Sequence, residues 1–282
     1  MSYEFEKEKI YRMPTHFGPS LGPRQGPNGR KFECKDNPKS KSISVSFLTN
    51  PDQLESFLPP NFSLYGQPIV TVTASYMKEI EWLAGRGYNT LGVSFPVEFS
   101  GNKDKARGNF LLVLWENLTD PILTGREELG FSKIYCKLPE PKLYKDKISC
   151  TASWMDFNFM NIEINKISSS EIPLNKPKTD DKYLKGMLHY KYIPKTGGAP
   201  GSWGEKDIAY AVLTPEETPN KVVKSISHGE GKVNFVKARW EDMPTQYTIV
   251  NAFADLEKIK YLDATVTETV GLKDISDQRI LL

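Results

Sequence analysis

Polar and apolar residues alternate along much of the chain. Residues 42–48 read Ser-Ile-Ser-Val-Ser-Phe-Leu, the period of two expected of a strand with one buried face. Runs rich in β-branched and aromatic residues predict further strands at 69–77, 88–99, 110–116, 131–138, 147–155, 157–167, 183–192, 208–213 and 221–240, and an alternating one at 261–270. Two helices stand among them. Asn50-Pro51-Asp52 opens a short one carrying Leu54, Phe57 and Leu58, which Pro59-Pro60 ends. Glu241-Asp242 ahead of Pro244 opens a longer one, with Ile249, Val250, Phe253 and Leu256 at helical spacing. The expected fold class is α+β, mainly antiparallel β with a few helices, and barrel closure would hide the strand edges.

From 14 to 29, eight of sixteen residues are Gly or Pro, which removes helix and ladder bonding and leaves an extended arm. The arm is assigned to 1–40 and a single domain to 41–282, since no repeat, composition shift or long linker divides the remainder. Lys plus Arg is 37 and Asp plus Glu 35, so a net charge of +2 gives no field for nucleic acid or anionic lipid. The apolar runs are too short to span a bilayer and the N-terminus opens on alternating charges, so no membrane partner and a cytoplasmic location are expected. Cys34, Cys136 and Cys150 lack the spacing of a zinc site or a disulfide framework, and His16, His189 and His228 lack that of a metal hydrolase. Neither a nucleotide-binding glycine motif nor a nucleophile elbow is present, and no metal or cofactor is expected.

The most unusual passage runs from Trp115-Glu116-Asn117 to Lys133. A hydrophobic strand enters a Gly-bounded turn holding Arg126, Glu127 and Glu128, and Lys133 follows at the start of the next strand. A lysine on a strand is ordinarily a solvated edge residue. The segment Gly-Arg-Glu-Glu-Leu-Gly-Phe-Ser-Lys, 125–133, is nevertheless similar to the signature of the acetoacetate decarboxylase family, in which Gly-Arg-Glu, about four residues and Pro-Lys lead into the strand bearing a reactive amine. Residues 87–101 and the stretch from Asp242-Met243-Pro244 onward resemble other parts of that family, so the likeness covers roughly 42–269.

The resemblance implies a barrel-like α+β fold, assembly into homo-oligomers, and a lysine, here Lys133, that condenses with the carbonyl of a ketone or keto-acid substrate. An amine attacks a carbonyl only when unprotonated, and a free lysine near pKa 10.4 is less than about 0.1% amine at neutral pH. Burial or a nearby cation must favour the neutral form, an activation for which this family is a standard example. The iminium then draws electrons for decarboxylation, aldol chemistry or dehydration.

Departures from the family pattern are specific. Ile134 stands where decarboxylases carry a second lysine, Ser132 where they carry proline, and Thr73 and Thr90 where they keep two pocket glutamates. The substrate arginine has Arg30, Lys39 and Lys41 as candidate counterparts, and Lys137 lies about 13 Å along a regular strand from Lys133. Arg126 and Glu127 either contact substrate or pair locally to fix the turn. Tyr76, Tyr88, Glu98, Trp115 and Glu116 are further candidates for the cavity wall. A lyase of the decarboxylase type is the leading expectation; a lysine-dependent aldol, dehydration or cyclisation enzyme on a larger ketone, and a binding protein that has lost catalysis, are the alternatives.

Overall fold

The computed structural model describes residues 26, 29, 31–172, 183–197 and 203–282. Most of the expected arm, Arg30 and His16 lie outside them. The strands are β1 (Lys39–Leu48), β2 (Phe62–Leu64), β3 (Ile69–Ile80), β4 (Arg86–Ser100), β5 (Lys105–Glu116), β6 (Lys133–Tyr135), β7 (Lys142–Tyr144), β8 (Lys147–Trp154), β9 (Phe157–Ser170), β10 (Leu184–Pro194), β11 (Lys206–Pro215), β12 (Val222–Phe235), β13 (Lys260–Val270) and β14 (Arg279–Ile280). Three α-helices interrupt them, α1 (Pro51–Glu55), α2 (Thr119–Thr124) and α3 (Tyr247–Ala254). All fourteen strands join one sheet in the order β14-β11-β10-β5-β4-β3-β1-β13-β12-β9-β8-β7, with β2 on β4 and β6 on β5.

The α+β, mainly antiparallel class holds, with two parallel pairings, of β5 with β10 and with β6. Barrel closure needs correction: the sheet has ends at β14 and β7 and does not close. No helix among the described residues is long and apolar enough to cross a membrane.

Alternation decides which face is core. Ile43, Val45 and Phe47 of β1 and Val70, Val72 and Ala74 of β3 are buried, while the intervening hydroxyls pair across the strands: Ser42 with Ser75, Ser44 with Thr73 and Ser46 with Thr71, each at 2.9 Å. On the core face Trp115 packs against Phe159, Phe235 and Phe253, the last carried by α3. Asn50 caps α1, its side chain accepting from Asp52 N at 2.9 Å, but the helix ends at Glu55, before the prolines. Helix α3 begins at Tyr247, later than the acidic start predicts. Asp242 is instead held by Arg239 at 2.9 and 3.0 Å, which lowers its pKa to about 2.

The site is positioned by β5 and β6. Buried β5 ends at Glu116; the chain then forms α2 and one π-helical turn, Gly125–Leu129, and returns as β6 parallel to β5. A parallel return needs a crossover of this kind, and it brings Lys133 into register with Leu114. The expected strand 131–138 is only three residues long here, and exposed Lys137 leaves it to bridge Ser153.

Candidate active site

Lys133, the first residue of β6, is 6% exposed and points to the face of the sheet opposite the Trp115 core. Its Nζ lies 2.8 Å from Oε1 of Glu116 and donates to the carbonyl of Pro121 at 3.1 Å. The Phe131 ring centroid is 5.5 Å from the same nitrogen. Glu116 is fully buried, and its Oε2 has no hydrogen-bond partner among the described residues. Burial pushes the Glu116 carboxyl above the ordinary carboxylate range, opposed by the charge and hydrogen bonding of Lys133. Tyr88, two residues along β4 from Thr90, is raised first by burial and then by the Glu116 charge, so its phenol stays protonated.

The turn before Lys133 explains the Gly-Arg-Glu pattern. A Cβ on Gly125 would fall 2.3 Å from Cδ and 2.4 Å from Cε of Lys133, so only glycine lets the lysine lie across this turn. Arg126 Nη1 donates to the Lys133 carbonyl at 2.9 Å and fixes the backbone from which the amine projects. The carbonyl of Glu127 accepts from Lys191 at 2.6 Å, and Gly130, at φ 81°, closes the turn against the Lys191 stem. Behind the turn, buried His189 stacks on Phe131 at 4.1 Å and 23°, with Nδ1 3.1 Å from the Gly130 carbonyl. Burial lowers its pKa to about 4, so the ring is neutral and Nδ1–H donates.

Lys133 borders a cavity of about 110 Å³ whose wall is mainly Met77, Ile80, Trp82, Tyr88, Pro121 and Leu129. One side is closed by the described end of the arm, at Phe32, Cys34, Asn37 and Pro38, and by 272–275. These two segments are joined by Leu272 N to Cys34 O at 2.8 Å and Gly271 N to Pro38 O at 3.1 Å. No cluster of His, Cys, Asp and Glu among the described residues is arranged to hold a metal ion. A buried amine beside a buried carboxyl can exist as an ion pair or as a neutral pair. The neutral pair presents a nucleophilic nitrogen to the cavity.

The sequence candidates separate accordingly. Lys133 and Tyr88 border the cavity. Thr73 does not: its hydroxyl is tied to Ser44, and its row crosses Gly92 and Leu114 to Lys133, three strand spacings or about 14 Å away. Thr90 is buried outside the cavity wall, directly across the β4–β5 ladder from Glu116. Exposed Arg126 and half-buried Glu127 neither enter the cavity nor pair with one another, because the π turn directs the guanidinium to the Lys133 carbonyl. Lys39 and Lys41 pair with Glu79 and Glu268, Glu98 pairs with Arg107, and Tyr76 and Trp115 belong to the core. Ile134 points to the reverse side of β6 from Lys133, so a side chain at that position does not share its cavity. Glu116, only one of five undistinguished candidates in the sequence, is the buried acid paired with Lys133, set behind the cavity wall rather than in it, where the carboxylate residues are Glu81 and Asp274. It sits directly across one ladder from Thr90.

Fold and site together define a sheet protein that buries a lysine amine beside a carboxyl group. The family model for acetoacetate decarboxylase matches residues 12–270, and the chain belongs to that family. No curated protein sequence matches it. Among solved structures it is similar to the acetoacetate decarboxylase of Legionella pneumophila subsp. pneumophila str. Philadelphia 1, at 17% identity and TM-score 0.62, over 91% of this chain and 92% of that one. The enduracididine biosynthesis enzyme MppR, complexed with pyruvate, is similar at 14% identity and TM-score 0.60, over 91% and 95%. An acetoacetate decarboxylase-like enzyme from Sphingomonas wittichii RW1 follows at 14% and 0.57, over 86% and 91%. At these identities the likenesses establish the fold.

Proposed function

We propose that this protein is a Schiff-base-forming lyase that acts on a small ketone or β-keto acid through Lys133. The observation that carries the proposal is a nearly buried lysine nitrogen, 2.8 Å from a buried carboxyl, at the wall of a mainly apolar cavity. Glu116 accepts the ammonium proton, and the freed amine attacks the substrate carbonyl carbon as the carbonyl electrons move to oxygen. Glu116 delivers to that oxygen first the former ammonium proton and then one it takes from the adduct nitrogen; the oxygen leaves as water, and an iminium and the Glu116 carboxylate remain. With a β-keto acid, the electron pair of the bond to the carboxylate flows into the iminium and carbon dioxide departs. Glu116, reprotonated by solvent water, gives that proton to the enamine carbon, and addition of water to the resulting iminium releases the ketone product and the lysine amine. Self-assembly into homo-oligomers belongs to the same proposal.

The cavity volume argues for a small substrate. A dry cavity of about 150 Å³ holds benzene, so about 110 Å³ suits a carbonyl compound of about four to six heavy atoms. That favours decarboxylation, or proton exchange beside the carbonyl, over aldol or cyclisation chemistry on a larger ketone. Acetone in heavy-oxygen water tests the step common to all of these. The protein is expected to exchange the carbonyl oxygen well above the buffer rate, and Lys133→Ala to return it to that rate. Exchange by wild type no faster than buffer would overturn the proposal.

A further inference from the structure

The reverse side of β6 borders a second and larger chamber, of about 460 Å³, within the size range of small-molecule sites. Its body is apolar and aromatic, built by Phe131, Tyr190, Tyr192 and Phe253. Two cations, Arg126 and Lys191, and the hydroxyl residues Ser132 and Thr248 reach it, whereas among the described residues no carboxylate residue lines it. Lys191 is already committed to the Glu127 carbonyl. Arg126 is exposed and, among the described residues, uses only Nη1, on the Lys133 carbonyl. Most of the donors on its planar fork remain for a ligand. Ser132 adds a hydroxyl to this polar edge.

An apolar chamber with cations at one edge and no acid complements an anion with an apolar body, and the guanidinium fork matches a carboxylate. We infer that this chamber binds a monocarboxylate with an aromatic or short acyl body, its carboxylate on Arg126 and its apolar part against Phe131 and Phe253. Both ends of that contact reach the other cavity. Arg126 holds the Lys133 carbonyl, and Phe131 lies beside the Lys133 amine, so an occupant bears on two supports of the lysine from behind.

Calorimetric titration of the full chain with hydrocinnamate and its neutral amide tests this directly, without reference to Lys133 chemistry. The acid is expected to bind at least about tenfold more tightly than the amide, the worth of one charge-assisted pair. Ala252→Phe, which places a ring in the chamber, is expected to weaken both, and Arg126→Met to bring the acid down to the amide. Protein whose Lys133 has been reductively blocked should bind the acid unchanged. Equal affinity for acid and amide, undiminished binding in Ala252→Phe, or loss of binding on blocking Lys133 would each overturn the inference. So would a fall in oligomer size in Ala252→Phe by sedimentation, which would mark the chamber as a contact between copies of the chain.

Discussion

Two nearly buried lysines approach the turn 125–130 from opposite sides, and they do different work. Lys191 meets Gly130 along its stem and donates its ammonium to the carbonyls of Glu127 and Glu128, at 2.6 and 3.5 Å. Burial lowers its pKa, and the Glu128 and Glu127 charges oppose that. Its donors are spent on carbonyls that the π turn leaves open, a structural use. Lys133 meets Gly125 along its stem, donates to one carbonyl, faces a carboxyl that can take its proton, and borders empty space. Burial is common to both. What sets Lys133 apart is a buried carboxyl at 2.8 Å and a cavity at its side.

The largest way to break that contrast is Lys133→Ala, expected to lower ketone turnover on the order of ten-thousand-fold in steady-state assays while the thermal transition stays cooperative. Gly125→Ala comes next. Its Cβ displaces the Lys133 stem, which is flexible, so activity should fall about a hundredfold while stability changes by only about 1 kcal/mol in urea titrations. Lys191→Ala should do the reverse, costing about 2–3 kcal/mol of stability with turnover per folded molecule within a few-fold of wild type. A result in which Lys191→Ala abolishes turnover without loss of stability would erase the distinction.

Acid and base titrations sharpen it further. The folded value of His189 is about 4 against an ordinary 6.5, so the unfolded chain holds the extra proton between them. Stability is therefore full above pH 6.5 and is lost as pH falls toward about 4, by on the order of 3 kcal/mol, and His189→Gln should remove this loss. Glu116 has the opposite sign. Its raised folded value means that the native protein keeps a proton the unfolded chain releases, so stability falls as pH rises from the ordinary carboxylate range through that value. Glu116→Gln should flatten this slope in denaturant titrations at successive pH values, and it should also slow turnover by removing the proton carrier.

The strands were legible where one face is buried and the other is not. The Ser-Ile-Ser-Val-Ser-Phe run of β1 and the alternation of Thr71, Thr73 and Ser75 with Val70, Val72 and Ala74 in β3 carry their own orientation. Lys133 was legible through the Gly-Arg-Glu spacing, whose physical basis is the contact at Gly125. Glu116 was not distinguishable, because its meeting with Lys133 depends on a parallel pairing of β5 with β6 that local sequence does not encode. The π turn escaped because its stabilising partners, Lys191 and His189, lie some sixty residues away in the chain.

Borohydride reduction in the presence of acetone, followed by peptide mass analysis, tests the assignment of the nucleophile most directly. An isopropyl adduct is expected on the peptide containing Lys133 and none on the peptide containing Lys191. An unmodified Lys133 in folded protein that is turning over ketone, or equal labelling of the two lysines, would contradict it.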